Sequence, residues 1–344
     1  MLAFLLLALT VNASFESGSL KSSEVKSPTH VVATIQGQAD AAGRNYQPSW
    51  FYFSIGGLED PEVKGREITV DLAGLEGEYN FQPHDGSGDR NVHPAYSYDN
   101  LHWRYFDKTE WLEKPSRIRV KFKPEGERIW IARIPPYTLV QLDSLLHSIE
   151  GRRWVAVREF GRSVQGRPLQ QITIPDPGVP VEKKKTVWIL ARQHAWESDT
   201  SWVFEGATRF LAGVDPAAAD LRRRYVFQMM PTLDPDGVAA GGVRFNRNGY
   251  DLNRNWDVED ARLMPEIAAT RKAVESWIAE GHSIDFFLTI HNTESADFLS
   301  GPVGAHGSHA KEIGERLNAL LKSATHFSPT GGVRDSAAGE KAPG

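Results

Sequence analysis

The sequence predicts an α/β domain with a mixed, mostly parallel sheet flanked by helices, preceded by an all-β sandwich domain. Three observations carry this. Short apolar runs separated by glycine-rich turns fill the first third of the chain, strand and helix patterns alternate beyond residue 150, and Pro135-Pro136 divides the two textures. A length of 344 residues, 40% hydrophobic and 24% charged, suffices for about two domains with sizeable cores.

At the N-terminus, residues 2–9 are apolar, and residues 11–13 carry the spacing of a signal-peptidase site. Residues 1–13 are therefore expected to be a removed signal peptide, although the usual basic leader residues are absent. The run is too short to span a bilayer. The expected location is secreted or periplasmic if this leader is genuine and cytoplasmic otherwise, with no stable membrane insertion after its removal. Residues 14–29, with Ser14, Ser17, Ser19, Ser22 and Ser23, read as a linker.

The sandwich is expected over residues 30–136. Its apolar runs lie at 30–35, 50–55, 67–72, 118–122 and 129–134, with Gly56-Gly57 and Gly86-Ser87-Gly88 among the turns between them. Tyr96, Tyr98, Trp103, Tyr105, Phe106 and Trp111 are read as core or inter-domain packing rather than a ligand groove.

The α/β domain is expected over residues 137–344. Leu139, Leu142, Leu145, Leu146 and Ile149 repeat at helical spacing. Strands are expected at 155–160, 171–174, 186–191, 225–230 and 284–290, and helices near 200–211, 265–280 and 309–323. In open sheets of this class the chemistry gathers at the carboxyl ends of the strands. The run 186–191 is apolar and β-branched, as a strand buried on both faces should be. It ends in a polar turn that carries His194 and Glu197, and Ser198 or Asp199 can cap the following helix. His291 follows the strand expected at 284–290 directly.

Two imidazoles and a carboxylate at strand ends of one sheet match a His₂Glu catalytic zinc site, with the fourth position open. One Zn²⁺ ion is the expected cofactor. The absence of cysteine excludes thiolate sites and disulfides alike. A second constellation occupies residues 244–256, behind the turn sequence of residues 231–237. Arg254 with Asn253 can clamp a free carboxylate, because a guanidinium is a planar and permanent charge. Arg244 is then free to polarise a scissile carbonyl or stabilise its oxyanion. Asp251 is placed behind them, orienting the Arg254 loop. A net charge of -5 and a pI of about 6.1 give no footprint for nucleic acid, so none is expected as a partner.

These pieces, together with the segment from Gly161 to Ile172, resemble the M14 family of zinc metallocarboxypeptidases, and more narrowly its cytosolic-carboxypeptidase-like branch with an N-terminal β-sandwich. They stand in the family's order and cover most of residues 30–330. The resemblance implies that His194, Glu197 and His291 bind zinc, that Asn253 and Arg254 hold the terminal carboxylate of a peptide or protein substrate, and that Arg244 stabilises the transition state. It also implies removal of C-terminal amino acids by metal-activated water. Three departures stand out. Ala195-Trp196 replaces the family's Pro-Gly, placing a bulky ring near the metal. Asp234 replaces an Asn, a mild change. The general-base Glu is not found in this chain: Glu294, Glu312, Glu315 and Glu340 are the glutamates after His291, and none matches. The catalytic domain is accordingly expected to be incomplete at its C-terminus. The alternatives are a zinc- and peptide-binding module with little or no activity, or a related N-acyl amino acid amidohydrolase, which would not need the sandwich. Oligomeric state and side-chain preference are not legible.

Overall fold

A computed structural model describes residues 9–258, 260–293, 296–302, 307–329 and 331–335. The chain divides into two units, residues 1–292 and 293–344. The first unit holds both the sandwich and the main sheet.

The sandwich has two five-stranded sheets. One runs in the order Thr10–Asn12, Tyr52–Gly56, Arg128–Ala132, Ala95–Ser97, Arg104–Tyr105; the other runs Glu110–Leu112, Arg117–Phe122, Ile68–Ala73, His30–Thr34, Ser22–Ser27. Alternation places one face of each strand inward. Ile118 and Val120 of one sheet and Phe53, Ile55, Ile129 and Ile131 of the other share one core. Each such side chain contributes about 1.5–3 kcal/mol through burial. Most of the aromatics pack as expected: Phe106 lies in this core, Tyr96, Tyr98 and Trp111 pack against it and Trp103 packs against the cluster of Trp50 and Trp196, whereas Tyr105 is exposed.

The expected linker over residues 14–29 is instead woven into the domain. Ser22–Ser27 pairs antiparallel with His30–Thr34, and Val25 packs on the core, so a backbone ladder outweighs the weak strand preference of serine. The signal-peptide expectation falls largely on residues 1–8, outside the described residues. Its cleavage motif coincides with the strand Thr10–Asn12, paired with Tyr52–Gly56, and Leu9 is buried in the core.

The main sheet runs Ala156–Arg162, Pro168–Ile174, Tyr225–Met230, Lys185–Ala191, Phe286–Ile290. Its first two pairings are antiparallel and its last two parallel, so it is mixed rather than mostly parallel. Connection length is the reason. A tight turn joins the first two strands, whereas Lys185–Ala191 reaches Tyr225–Met230 only through helices, and parallel neighbours need such crossovers.

Helix α1, Leu139–Ile149, opens with a capping box between Thr138 and Gln141 and buries Leu142, Leu145 and Ile149. Helix α2, Ser198–Ala212, and α3, Pro216–Arg224, form the first crossover. Helix α3 was not anticipated, yet Asp215 caps it and Pro216 opens it. Helix α4, Pro235–Ala240, occupies what reads as a turn, and α5, Pro265–Ala279, covers the other face. Strand Lys185–Ala191 is buried on both sides as expected: Trp188 and Leu190 join the core with Ile267 of α5, while Val187 and Ile189 pack against the cluster that includes Phe204 of α2. Phe286–Ile290 pairs only with Lys185–Ala191 among the described residues and is half-buried.

In the second unit, α6, Gly307–Ala324, falls where a helix is expected. The short strands Ser300–Gly301 and Arg334–Asp335 pair in parallel, and the Arg334 guanidinium lies 3.9 Å over the Phe298 ring. No helix among the described residues is long and apolar enough to cross a membrane.

Candidate metal centre

The end of Lys185–Ala191 turns sharply. Arg192 adopts φ 55°, a left-handed conformation that costs a non-glycine residue energy and persists only where its surroundings fix it. They do so here. The buried guanidinium donates to the carbonyls of Ala195 and Tyr137 and to Ser201 Oγ, while the Arg192 carbonyl accepts the N–H groups of Leu233 and Asp234. Burial pulls the Arg192 pKa down to about 10, against the pull of Glu197 and Asp234, so the group stays charged near neutral pH.

This turn aims His194 and Glu197 at His291, which ends the neighbouring strand. The Nδ1 atoms of His194 and His291 lie 2.9 and 3.0 Å from the two carboxylate oxygens of Glu197. One potential ligand atom from each of the three residues falls within 4.8 Å of the others. The structure thus brings together the three residues expected to bind metal. Two borderline nitrogen donors and a carboxylate, with both Nδ1 atoms turned inward, fit Zn²⁺.

Electrostatics match. Burial pushes the Glu197 carboxyl upward, but the two imidazoles outweigh it and hold the pKa at about 2. Burial lowers His194, yet Glu197 and Asp251 raise it above its ordinary value. Glu197 occupies the N-cap position of α2 without capping through its side chain. The Ser198 hydroxyl donates to the Pro135 carbonyl and Asp199 lies in the first turn, so neither serves as the cap.

Asp251 orients the Arg254 loop as anticipated, accepting the Asn253 N–H on Oδ1 at 2.8 Å and the Arg254 N–H on its backbone carbonyl, and it has a second task. Its Oδ1 sits 3.0 Å from His194 Nε2, and its Oδ2 accepts from Arg244 Nε at 2.6 Å. It therefore orients the imidazole of a candidate metal ligand and the candidate oxyanion stabiliser together. Burial pushes this carboxyl up, but His194 and Arg244 hold it well below the usual range. Asn253 Nδ2 lies 3.4 Å from His291 Nε2, whereas Arg254 is exposed and donates to the Asn253 carbonyl. Arg244 and the Asn253 N–H thus meet on the Asp251 carboxylate, with the Asn253 amide beside His291. Arg254 donates its backbone N–H to the Asp251 carbonyl, while its side chain turns outward.

The N-terminal domain backs the Arg244 loop directly, through a four-stranded sheet beside the sandwich that runs Gln38–Ala39, Tyr46–Gln47, Gly77–Tyr79, Gln82–His84. Gln38 Oε1 accepts the N–H groups of Val243, Arg244 and Phe245 at 2.9, 2.7 and 3.0 Å, and its amide nitrogen donates to the Phe245 carbonyl at 2.6 Å. Gly249, at φ 84°, lies so close to Ala41 that an added Cβ would sit 2.6 Å from the Ala41 nitrogen. Nothing in the local sequence of Gln38 marks it, because its partners lie more than 200 residues away.

Trp196 does not crowd the metal position as its size suggests. Its buried ring joins Trp50, Tyr52, Ala132 and Val243 at the sandwich, with Arg133 5.3 Å above it. The glycine-rich segment after Gly161 is explained by Asp236: this carboxylate accepts from Ser163 Oγ, the Gln165 N–H and Arg167, locking the hairpin to the start of α4. Asp234 is not a mild change. Its Oδ1 accepts from the Gly237 N–H, its buried Oδ2 has no partner among the described residues, and burial, reinforced by Glu266 and Asp236, pushes its pKa to about 7. Of the glutamates beyond His291, Glu312 and Glu315 are exposed, while Glu294 and Glu340 lie outside the described residues.

Comparison with known proteins agrees with this architecture. A family model of zinc carboxypeptidases matches residues 144–296, and one of the cytosolic carboxypeptidase N-terminal domain matches residues 11–134. An uncharacterised protein of Zymomonas mobilis is 26% identical over 298 residues, 86% of this chain and 71% of that protein. Human cytosolic carboxypeptidase 6 is 33% identical over 189 residues, 53% of this chain, but the match spans only 38% of the human protein. The crystal structure of a metallo-carboxypeptidase from Burkholderia cenocepacia superposes with a TM-score of 0.80 at 26% identity, covering 96% of this chain and 84% of that one.

Proposed function

Because this chain belongs to the M14 zinc carboxypeptidases, with the N-terminal domain of the cytosolic carboxypeptidases ahead of its peptidase domain, we propose that it removes C-terminal amino acids from peptides or proteins at the His194, Glu197 and His291 centre. The observation that carries this reading is the convergence of both Nδ1 atoms on the Glu197 carboxylate.

A bound Zn²⁺ would polarise the scissile carbonyl and lower the pKa of water toward neutrality. The chain's own residues do the rest. Asp251 holds His194 in the tautomer that leaves Nδ1 free, and the same carboxylate fixes Arg244 beside it. Arg244 then stabilises the charge that develops on the carbonyl oxygen. Asn253 and Arg254 grip the substrate's terminal carboxylate, with the Arg254 fork reaching outward from an exposed position.

A second reading, a zinc- and peptide-binding module with little turnover, is favoured by one observation. Glu197 and Asp251 are both engaged with imidazoles, which leaves proton abstraction without an assigned carboxylate among the described residues. Incubation of the purified chain with C-terminal dipeptides separates the readings. Release of free amino acid that stops with chelator supports the peptidase; zinc-dependent peptide binding without release supports the module. Cleavage of N-acyl amino acids with indifference to peptides would point to an amidohydrolase instead.

A further inference from the structure

We infer that Gln193 is a positioning residue of the metal centre: its side-chain amide fixes the tautomer and ring orientation of His291 and ties that ligand to the loop bearing Asn253 and Arg254. This rests on the assignment of His194, Glu197 and His291 as zinc ligands.

Gln193 stands immediately before His194 and is only 1% exposed. Its amide has two partners. The nitrogen donates to the Leu252 carbonyl at 2.8 Å, and Oε1 lies 3.0 Å from His291 Nε2. A backbone carbonyl only accepts, so the amide nitrogen must face Leu252. Reversing the amide would set two oxygens 2.8 Å apart. Oε1 also only accepts, so His291 Nε2 must carry the hydrogen. A neutral imidazole has one N–H, which leaves the Nδ1 lone pair pointing at Glu197 and the metal position. Asn253 Nδ2, 3.4 Å from Nε2, is a donor facing a donor and does not compete for that hydrogen.

The two imidazoles are therefore set by different chemistry. His194 has a carboxylate on Nε2, from Asp251, and His291 has a neutral amide. Only the amide can also donate to Leu252, the residue between Asp251 and Asn253, so it links metal ligand and substrate loop. A carboxylate at this position would accept from His291 but meet the Leu252 carbonyl oxygen to oxygen.

Chelator competition on the full chain tests this, with ¹⁵N spectra of the zinc-loaded protein and proton spectra of the Co²⁺-substituted one. Q193M should weaken zinc binding by about 10–100-fold, the usual effect of losing such a partner, and Q193E should recover part of that loss, accepting the same N–H while its second oxygen meets the Leu252 carbonyl. In the wild type, His291 should be protonated at Nε2, and the Co²⁺ protein should show two exchangeable imidazole N–H resonances. Q193M should lose the His291 resonance to solvent exchange and keep that of His194. Protonation of His291 at Nδ1 in the wild type would overturn the inference without any variant. So would a Q193M protein that keeps both resonances and binds zinc within twofold of wild type. If wild type binds no zinc and H291A changes nothing, the metal centre itself is wrong. If H291A abolishes binding and Q193M does not weaken it, only the role of Gln193 falls.

Discussion

The metal centre has two unlike arms. His194 and Glu197 sit on a fixed turn between a doubly covered strand and α2, and both side chains are 2% exposed; the His291 side chain is 23% exposed, at the end of a strand with one neighbour among the described residues. Equal donors are thus held by unequal means. The first arm is fixed by the core and by charge, through Arg192 and Asp251; the second is held by the Gln193 amide and the Glu197 carboxylate. Donor type and reach settle whether an ion can bind, whereas burial decides what losing a donor does to the fold.

The largest effects should separate the arms. H194A and H291A are both expected to abolish tight zinc binding, measured by chelator competition. Denaturant unfolding of the metal-free proteins should tell them apart. H194A strips an imidazole from two buried carboxylates, Glu197 and Asp251, a change that costs about 3–5 kcal/mol, whereas H291A takes one of two imidazoles from Glu197 alone, at a partly exposed position that water can enter, for about 1 kcal/mol. Equal losses of stability would erase the distinction drawn between the arms.

Arg244 extends the buried arm into chemistry, since Asp251 holds it together with His194. R244M is expected to lower kcat by about 10²–10³, the usual effect of removing an oxyanion donor, with one zinc still bound. R254A should act mainly on KM, because the Arg254 side chain is exposed and donates to the Asn253 carbonyl rather than to Glu197, Asp251 or the imidazoles. An R244M protein that fails chiefly in KM would exchange the roles of the two arginines.

The buried arm also carries a liability. The folded-state pKa of Asp234, about 7, lies above its ordinary 3.8, so the folded protein holds a proton there that the unfolded chain gives up. That contribution to stability is complete below about pH 3.8 and lost as pH rises through 7. D234N keeps the acceptor for the Gly237 N–H and cannot ionise. It should therefore be more stable than wild type at pH 8, on the order of 1–3 kcal/mol, with the advantage shrinking toward pH 4. Unfolding midpoints across pH 4–8 check the slope; parallel curves would show that Asp234 does not ionise in this range.

Much of this was legible in the sequence. The run 186–191 marked a doubly buried strand, and His194, Glu197 and His291 at strand ends marked the cluster that the fold brings together, because periodicity and ligand chemistry are local signals. The exact partners were not. Asp251 was assigned to the Arg254 loop, but only the fold shows that His194 Nε2 and Arg244 Nε reach it from either side. Trp196 was placed near the metal because it stands between His194 and Glu197; side-chain direction turns it to the sandwich. Ser22–Ser27 lacked strand composition, so its pairing with His30–Thr34 was invisible without the partner. Gln193 and Gln38 are ordinary polar residues in sequence, and their roles exist only through contacts made far along the chain.

Gln38 gives the smallest predicted effect and the one that most directly asks what the N-terminal domain does for the catalytic half. Three successive backbone N–H groups converge on its Oε1, and the middle one belongs to Arg244. Three amides aimed at one point form a small positive concavity, and here a side chain from the other domain fills it. In Q38L these donors lose their acceptor, the Phe245 carbonyl loses its donor, and the loop bearing Arg244 is free to shift. Misplacing a catalytic group by a fraction of an ångström to an ångström costs up to 10²-fold in rate. Because Asp251 still holds the guanidinium from the other side, about tenfold in kcat is expected, with zinc affinity within twofold of wild type. Q38E retains the acceptor for the three amides and should recover part of the loss. A Q38L protein with unchanged kcat would mean that Asp251 alone positions Arg244, and that the N-terminal domain serves the fold of this half without reaching its chemistry.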